Sequence, residues 1–231
     1  MKLLARGART VTLAFVVLLA ACGGEKAAVD PIPTELAAVE TAAETGFDAA
    51  LKSDQVQTAA AAKLAASSWA AYLKRASADG VPAAALDAVS AAITAANSLS
   101  ALNPSALAMA RAFNGISAPM ARIYAVYKPP VPAALLDMDY LGREIRLDSR
   151  AVDLPHAATN LDALAAQWSA FRASVTAAGG AAQAAQMDGT LAQARKAITA
   201  NDAAALELAA VAQAEAVDAV ETLFAQLDAP D

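Results

Sequence analysis

The chain has a single cysteine, a single histidine, few aromatic residues and no cluster of basic ones. Each shortage closes a class of chemistry. With Cys22 alone, no intrachain disulfide forms, so stability has to come from packing. With His156 alone, a metal site needing two imidazoles is excluded, as are the His-Glu-x-x-His zinc-protease helix and a haem-attaching Cys-x-x-Cys-His. A Ser-His-Asp triad would have to use His156, which follows Pro155 in the first turn of an expected helix, an exposed place. No segment alternates β-branched and aromatic residues between turn signals, so strands are not expected. Apolar residues make up 58% of the chain, but alanine inflates that figure, and it does not denote membrane character.

One apolar run stands at the N-terminus. Lys2, Arg6 and Arg9 precede Val11 through Leu19, and small residues follow, which is the three-part layout of a secretory signal. The run is about half the ~20 residues that a helix needs to cross a bilayer. Its end, Leu19-Ala20-Ala21-Cys22, resembles the bacterial lipoprotein signal, the lipobox. That resemblance implies a diacylglycerol thioether on Cys22, cleavage before it and acylation of the new amine. It leaves no thiol for catalysis and no cofactor beyond the covalent lipid. More than one acyl chain gives stable anchoring, where a single chain binds marginally at ~0.8 kcal/mol per methylene. Gly23 and Gly24 follow the cysteine with no Asp, and the sorting rule of enterobacterial lipoproteins then implies the outer membrane, facing the periplasm.

Residues 1–21 carry three positive charges and no acidic ones. Their removal takes Lys+Arg from 17 to 14 while Asp+Glu stays at 23, so the net charge goes from -6 to -9. Such a chain is a poor nucleic-acid or anionic-lipid binder, and its body is expected to stand off the membrane on its tether. Alanine has the highest helix propensity and little bulk, which favours closely packed helices.

The remainder reads as an all-α, Ala-rich helical bundle. Residues 22–33 form the lipidated cysteine and a flexible tether, 34–127 a first helical unit, 128–132 a Pro-rich linker and 133–231 a second unit. Thr34, Asp54, Asp153 and Asp202 are expected helix caps, and Gly80 and Gly179 expected stops. Gly115 and Pro119 should bend the fourth helix, taken from Pro104 to about Tyr127, and residues 97–103 read as a loop. A shift of 99 residues places Asp54 on Asp153, Trp69 on Trp168, Tyr72 on Phe171 and Gly80 on Gly179, the outline of a degenerate repeat. Trp69, Trp168, Tyr72 and Phe171 are expected to anchor the interior, and Met109, Met120, Met138 and Met187 to fill gaps in it.

The most charge-dense stretch runs from Asp137 to Asp153. On a helix, Asp137, Leu141, Glu144 and Asp148 share one stripe, while Asp139 pairs with Arg143 four residues on, and Arg146 and Arg150 continue that second stripe. Two roles fit: a carboxylate face around Asp137, Tyr140, Glu144 and Asp148 that binds a cation or ligand through oxygen or holds a partner, or a solvated face with intrahelical ion pairs. Tyr140 and Gly142 would let a second helix approach closely. The helical, repeated outline also resembles the imelysin-like periplasmic proteins, a family often linked to iron uptake. Its Gly-x-His-x-x-Glu motif has no counterpart here, because Leu154 and Thr159 stand at the Gly and Glu positions around His156, so no site is carried over. The residues lead us to expect a lipid-anchored, non-enzymatic helical module with an envelope protein as partner. The alternative is a bundle that takes a cation, metal or small ligand, with no nucleic acid in either case.

Overall fold

A computed structural model of the chain describes residues 32–102 and 104–228. The expected signal, Cys22 and the expected tether up to residue 31 lie outside the described residues. Among the described residues there is no strand. Helices α1 (Thr34–Leu51), α2 (Gln55–Ala76), α3 (Ala83–Ser100) and α4 (Ala106–Ser117) are followed by the short α5 (Met120–Tyr124), which runs into a 3-10 turn at Ala125–Tyr127. Beyond the Pro-rich segment come α6 (Ala134–Ala151), α7 (Leu154–Ala177), α8 (Ala181–Thr199) and α9 (Ala203–Leu227).

The connections follow from a few residue types. Asp54, Asp153 and Asp202 accept from the backbone N–H groups of Gln57, His156 and Ala205, satisfying donors that the first turns of α2, α7 and α9 leave open. In all three cases the preceding residue (Ser53, Val152 or Asn201) takes a left-handed conformation. Gly80 and Gly179 end the stretches after α2 and α7 at φ +79° and +87°, where a side chain would be strained. Thr34 is not a cap: Pro33 precedes the first helical residue and makes no side-chain cap bond. α3 continues past the expected end to Ser100, and within it Asn97 and Ser100 turn their side chains back onto the carbonyls of Ile93 and Asn97. The fourth helix is broken, not merely bent, since Pro119 separates α4 from α5.

Two apolar cores result. Leu36, Val39, Phe47, Trp69, Tyr72 and Phe113 lie in the first, and Ile32 packs against its edge. Leu161, Leu164, Trp168, Val175, Leu206 and Val217 lie in the second. Each such side chain contributes about 1.5–3 kcal/mol by leaving water. Met109, Met120, Met138 and Met187 are buried in these cores, as is Trp168, while Phe171 is half-buried and stacks on Phe224. Trp69 donates to Ser90 on α3, and Trp168 donates to Asp188 on α8.

α6 belongs to both halves. Leu135, Met138, Leu141 and Ile145 enter the second core while Leu147 enters the first. α6 packs on α7 and α9 and also on α4, and α4 packs on α1. Close approach depends on missing side chains. A Cβ on Gly142 would collide with Gln213 of α9, and one on Gly46 with the Phe113 ring of α4.

Candidate functional site

The charged stretch of α6 is a buried seam between helices and not a solvated face. Arg143, Glu144, Asp148 and Ser149 are all buried. The spacing along α6 divides its charges between two sides, one toward α4 and α7 and one toward α1 and α9.

Toward α4 and α7, Asp148 is 1% exposed and receives three donors. Arg111 of α4 reaches Oδ1 at 2.8 Å, Asn160 of α7 reaches Oδ2 at 2.8 Å, and His156 Nδ1 lies 3.0 Å away. Glu144 accepts from Arg111 and, at 2.7 Å, from Asn114, whose amide also donates to the Tyr140 carbonyl at 3.1 Å. Burial raises the Glu144 carboxyl above its ordinary value, opposed by Asn114 and Arg111. The bond to Asp148 raises the His156 imidazole, whose side chain is 51% exposed. Here an outer imidazole is backed by a buried carboxylate, and that carboxylate is already held by an arginine and an amide.

Toward α1 and α9, Arg143 is 7% exposed and sits among three carboxylates: Asp139 at 3.1 Å, Glu40 at 3.3 Å and Glu44 at 3.4 Å. Ser117 of α4 also donates to Glu40 at 2.6 Å. Arg143 and Arg146 each stand 5.9 Å from the centre of the Phe47 ring. The expected Asp139–Arg143 pair is present. Arg146 lies between Asp48 and Glu207, and Arg150 pairs with Glu207 at 2.6 Å.

Of the four residues singled out in the sequence, the fold brings Glu144 and Asp148 together through Arg111. Tyr140 contributes its carbonyl to Asn114 and its ring to the edge of the second core. Asp137 lies a turn away, half-buried, with a carboxyl raised by burial and opposed by Arg122. Among the described residues, no three His, Cys, Asp or Glu side chains are placed to hold a metal ion.

Sequence reasoning missed Glu40, Arg111, Asn114 and Asn160. A signal existed for the first two: Glu40 falls on the apolar stripe Leu36-Val39-Ala43-Phe47, and Arg111 on the stripe of α4 beside Leu107 and Ala110. A charge inside an apolar stripe needs a buried partner.

A second feature lies at one end of the first unit. A cleft of about 380 Å³ opens where α1 ends, α2 begins, α3 ends and α4 begins, with Ala50, Ala101 and Met109 among its apolar walls and Ser53, Thr58 and Ser100 among its polar ones. At the other end, Tyr72 and Tyr127 share a hydrogen bond of 2.9 Å, Tyr127 donates to Asp79 at 2.6 Å, and Arg75 donates to the same carboxylate at 2.7 Å. This chain of bonds closes the bundle over its first core. Among the described residues, no helix is long and apolar enough to cross a membrane.

The fold and the seam define an all-α helical bundle with an internally paired charged core. No protein-family model matches the chain, and no significant match was found among curated proteins or solved structures.

Proposed function

We propose that the chain is a lipid-anchored envelope module, held to the outer membrane through Cys22 and facing the periplasm, whose helical body binds or scaffolds another envelope component without catalysing a reaction. The lipobox supports the anchor. One structural observation carries the non-catalytic part: Glu144 and Asp148, the carboxylates best placed for acid–base work, are taken up by Arg111, Asn114, His156 and Asn160. A carboxylate held by several donors of its own fold stabilises that fold and has little capacity left for a substrate proton. The matching bonds of Trp69 and Trp168, and the matching stops at Gly80 and Gly179, favour the degenerate repeat as the origin of the two units. Cys22→Ser in cells tests the anchor. The variant should move from the envelope pellet to the soluble periplasmic fraction and lose its lipid mass shift. Unchanged pelleting would overturn the proposal.

A second reading, a small-ligand bundle, is favoured by the cleft beside Met109, whose volume falls in the range of small-molecule sites. The corresponding end of the second unit differs: Leu154, at the place of Gln55, is buried in the second core, and the α8–α9 connection is shorter than α3–α4. Calorimetry with divalent metals and haem should give no binding tighter than roughly millimolar on the first reading. Binding that disappears when Ala59→Trp fills the cleft would establish the second.

A further inference from the structure

The cleft where α1 and α3 end and α2 and α4 begin has walls that the fold by itself does not require. It lies at the end of α1 opposite Ile32. Ala50, Ala101 and Met109 give it an apolar surface. Val56 and Leu102, 84% and 75% exposed, adjoin the lining residues Gln55 and Ala101 in the chain. Among the described lining residues none is ionisable. A charged ligand would give up water there and meet no counter-charge. Ser53, Gln55 and Thr58 supply polar groups around the capping Asp54. At the same places around the capping Asp153 stand Val152, Leu154 and Ala157, the last two buried in the second core. One kind of capped corner is thus built with apolar side chains in the second unit and with polar ones in the first.

Thr58 sets what such a ligand must carry. It is 8% exposed, and its hydroxyl has a single proton, which it donates to the Asp54 carbonyl at 2.6 Å. Ser100 spends its proton in the same way, on the Asn97 carbonyl at 2.7 Å. Both oxygens keep acceptor capacity and have no proton left to give. Resting on the small-ligand reading of this cleft, we propose that it takes an uncharged ligand with an apolar body, whose O–H or N–H donates to the Thr58 hydroxyl. The apolar part rests against Met109 and the alanines. A ligand of the same shape without that proton leaves a buried oxygen unpaired, and it binds more weakly for that reason.

The test is an NMR titration of the intact, detergent-solubilised chain carrying ¹³C-methyl methionine, with free probe concentrations set by dialysis. N-methylbenzamide and N,N-dimethylbenzamide share a ring and a carbonyl and differ in the N–H, while benzoate adds a charge. N-methylbenzamide should shift the Met109 methyl signal saturably and leave Met138 and Met187, buried in the second core, in place. Its Kd should lie about tenfold or more below that of N,N-dimethylbenzamide, and benzoate should leave Met109 unmoved. Thr58→Val, which keeps the side chain's shape and removes the acceptor, should bring the two amides to within about twofold. Equal Kd values in the wild type, or an N–H preference that survives in Thr58→Val, overturns the donor requirement while the small-ligand reading stands. Saturable binding of benzoate overturns the uncharged class in the same way. A Met109 signal that no probe moves, up to roughly tens of millimolar, overturns both.

Discussion

Asp148 shows what one side chain contributes when three donors from two other helices converge on it. Its removal would leave Asn160 without its acceptor and Arg111 with Glu144 alone, so Asp148→Ala should cost about 3 kcal/mol in urea unfolding. A loss under about 1 kcal/mol would mean that the seam is incidental to stability. The same carboxylate sets the titration of His156. By NMR, the imidazole should titrate above its ordinary 6.5 in the wild type and return toward it in Asp148→Asn. The sign follows: the His156–Asp148 contribution is fully present below pH 6.5 and fades as pH rises through the raised value. Val152 illustrates strain. It is an exposed β-branched residue at φ +55°, at the position where the α8–α9 connection carries Asn201. Val152→Asn should raise stability by about 0.5–1 kcal/mol; a loss would show that its backbone conformation is not strained.

At the scale of elements, caps and close contacts decide the geometry. Asp54→Ala, Asp153→Ala and Asp202→Ala should each cost about 1 kcal/mol, because each leaves an N-terminal N–H without its acceptor. Gly142→Ala should cost about 1–3 kcal/mol, because α9 carries Gln213 against the missing side chain. Chemical denaturation measures both, and a neutral Gly142→Ala would mean that the end of the Gln213 side chain swings clear without cost. These same positions were legible in the sequence: three Asp caps, two Gly stops and the Asp139–Arg143 pair are all local patterns. Thr34 misled because a cap residue type sits one place too late, after Pro33. The seam was half legible. The spacing of Glu144 and Asp148 put them on one face, but which helix covers that face is a matter of tertiary packing. The sequence of α6 alone therefore did not give Arg111 or Asn160.

At the scale of the molecule, α6 makes the two halves dependent on each other. Leu147 enters one core, Ile145 enters the other, and Arg111 and Asn114 of α4 hold Glu144 from across the boundary. Unfolding of one half would expose charges that the other half keeps paired, so calorimetry should record one cooperative transition. Two well-separated transitions would mean that the halves are independent domains. A single transition would make the Pro-rich segment at 128–132 a connection within one cooperative body. Around this paired interior, Val56, Leu102, Leu208 and Leu227 are large apolar side chains left exposed. The proposed role depends on that body being tied to a membrane, and the intact mass of the chain extracted from envelopes tests this most directly. The account predicts a polypeptide beginning at Cys22 and heavier than its sequence by a diacylglyceryl group and an amide-linked acyl chain. A chain that retains residues 1–21, or one that begins at Cys22 with no added mass, would contradict it.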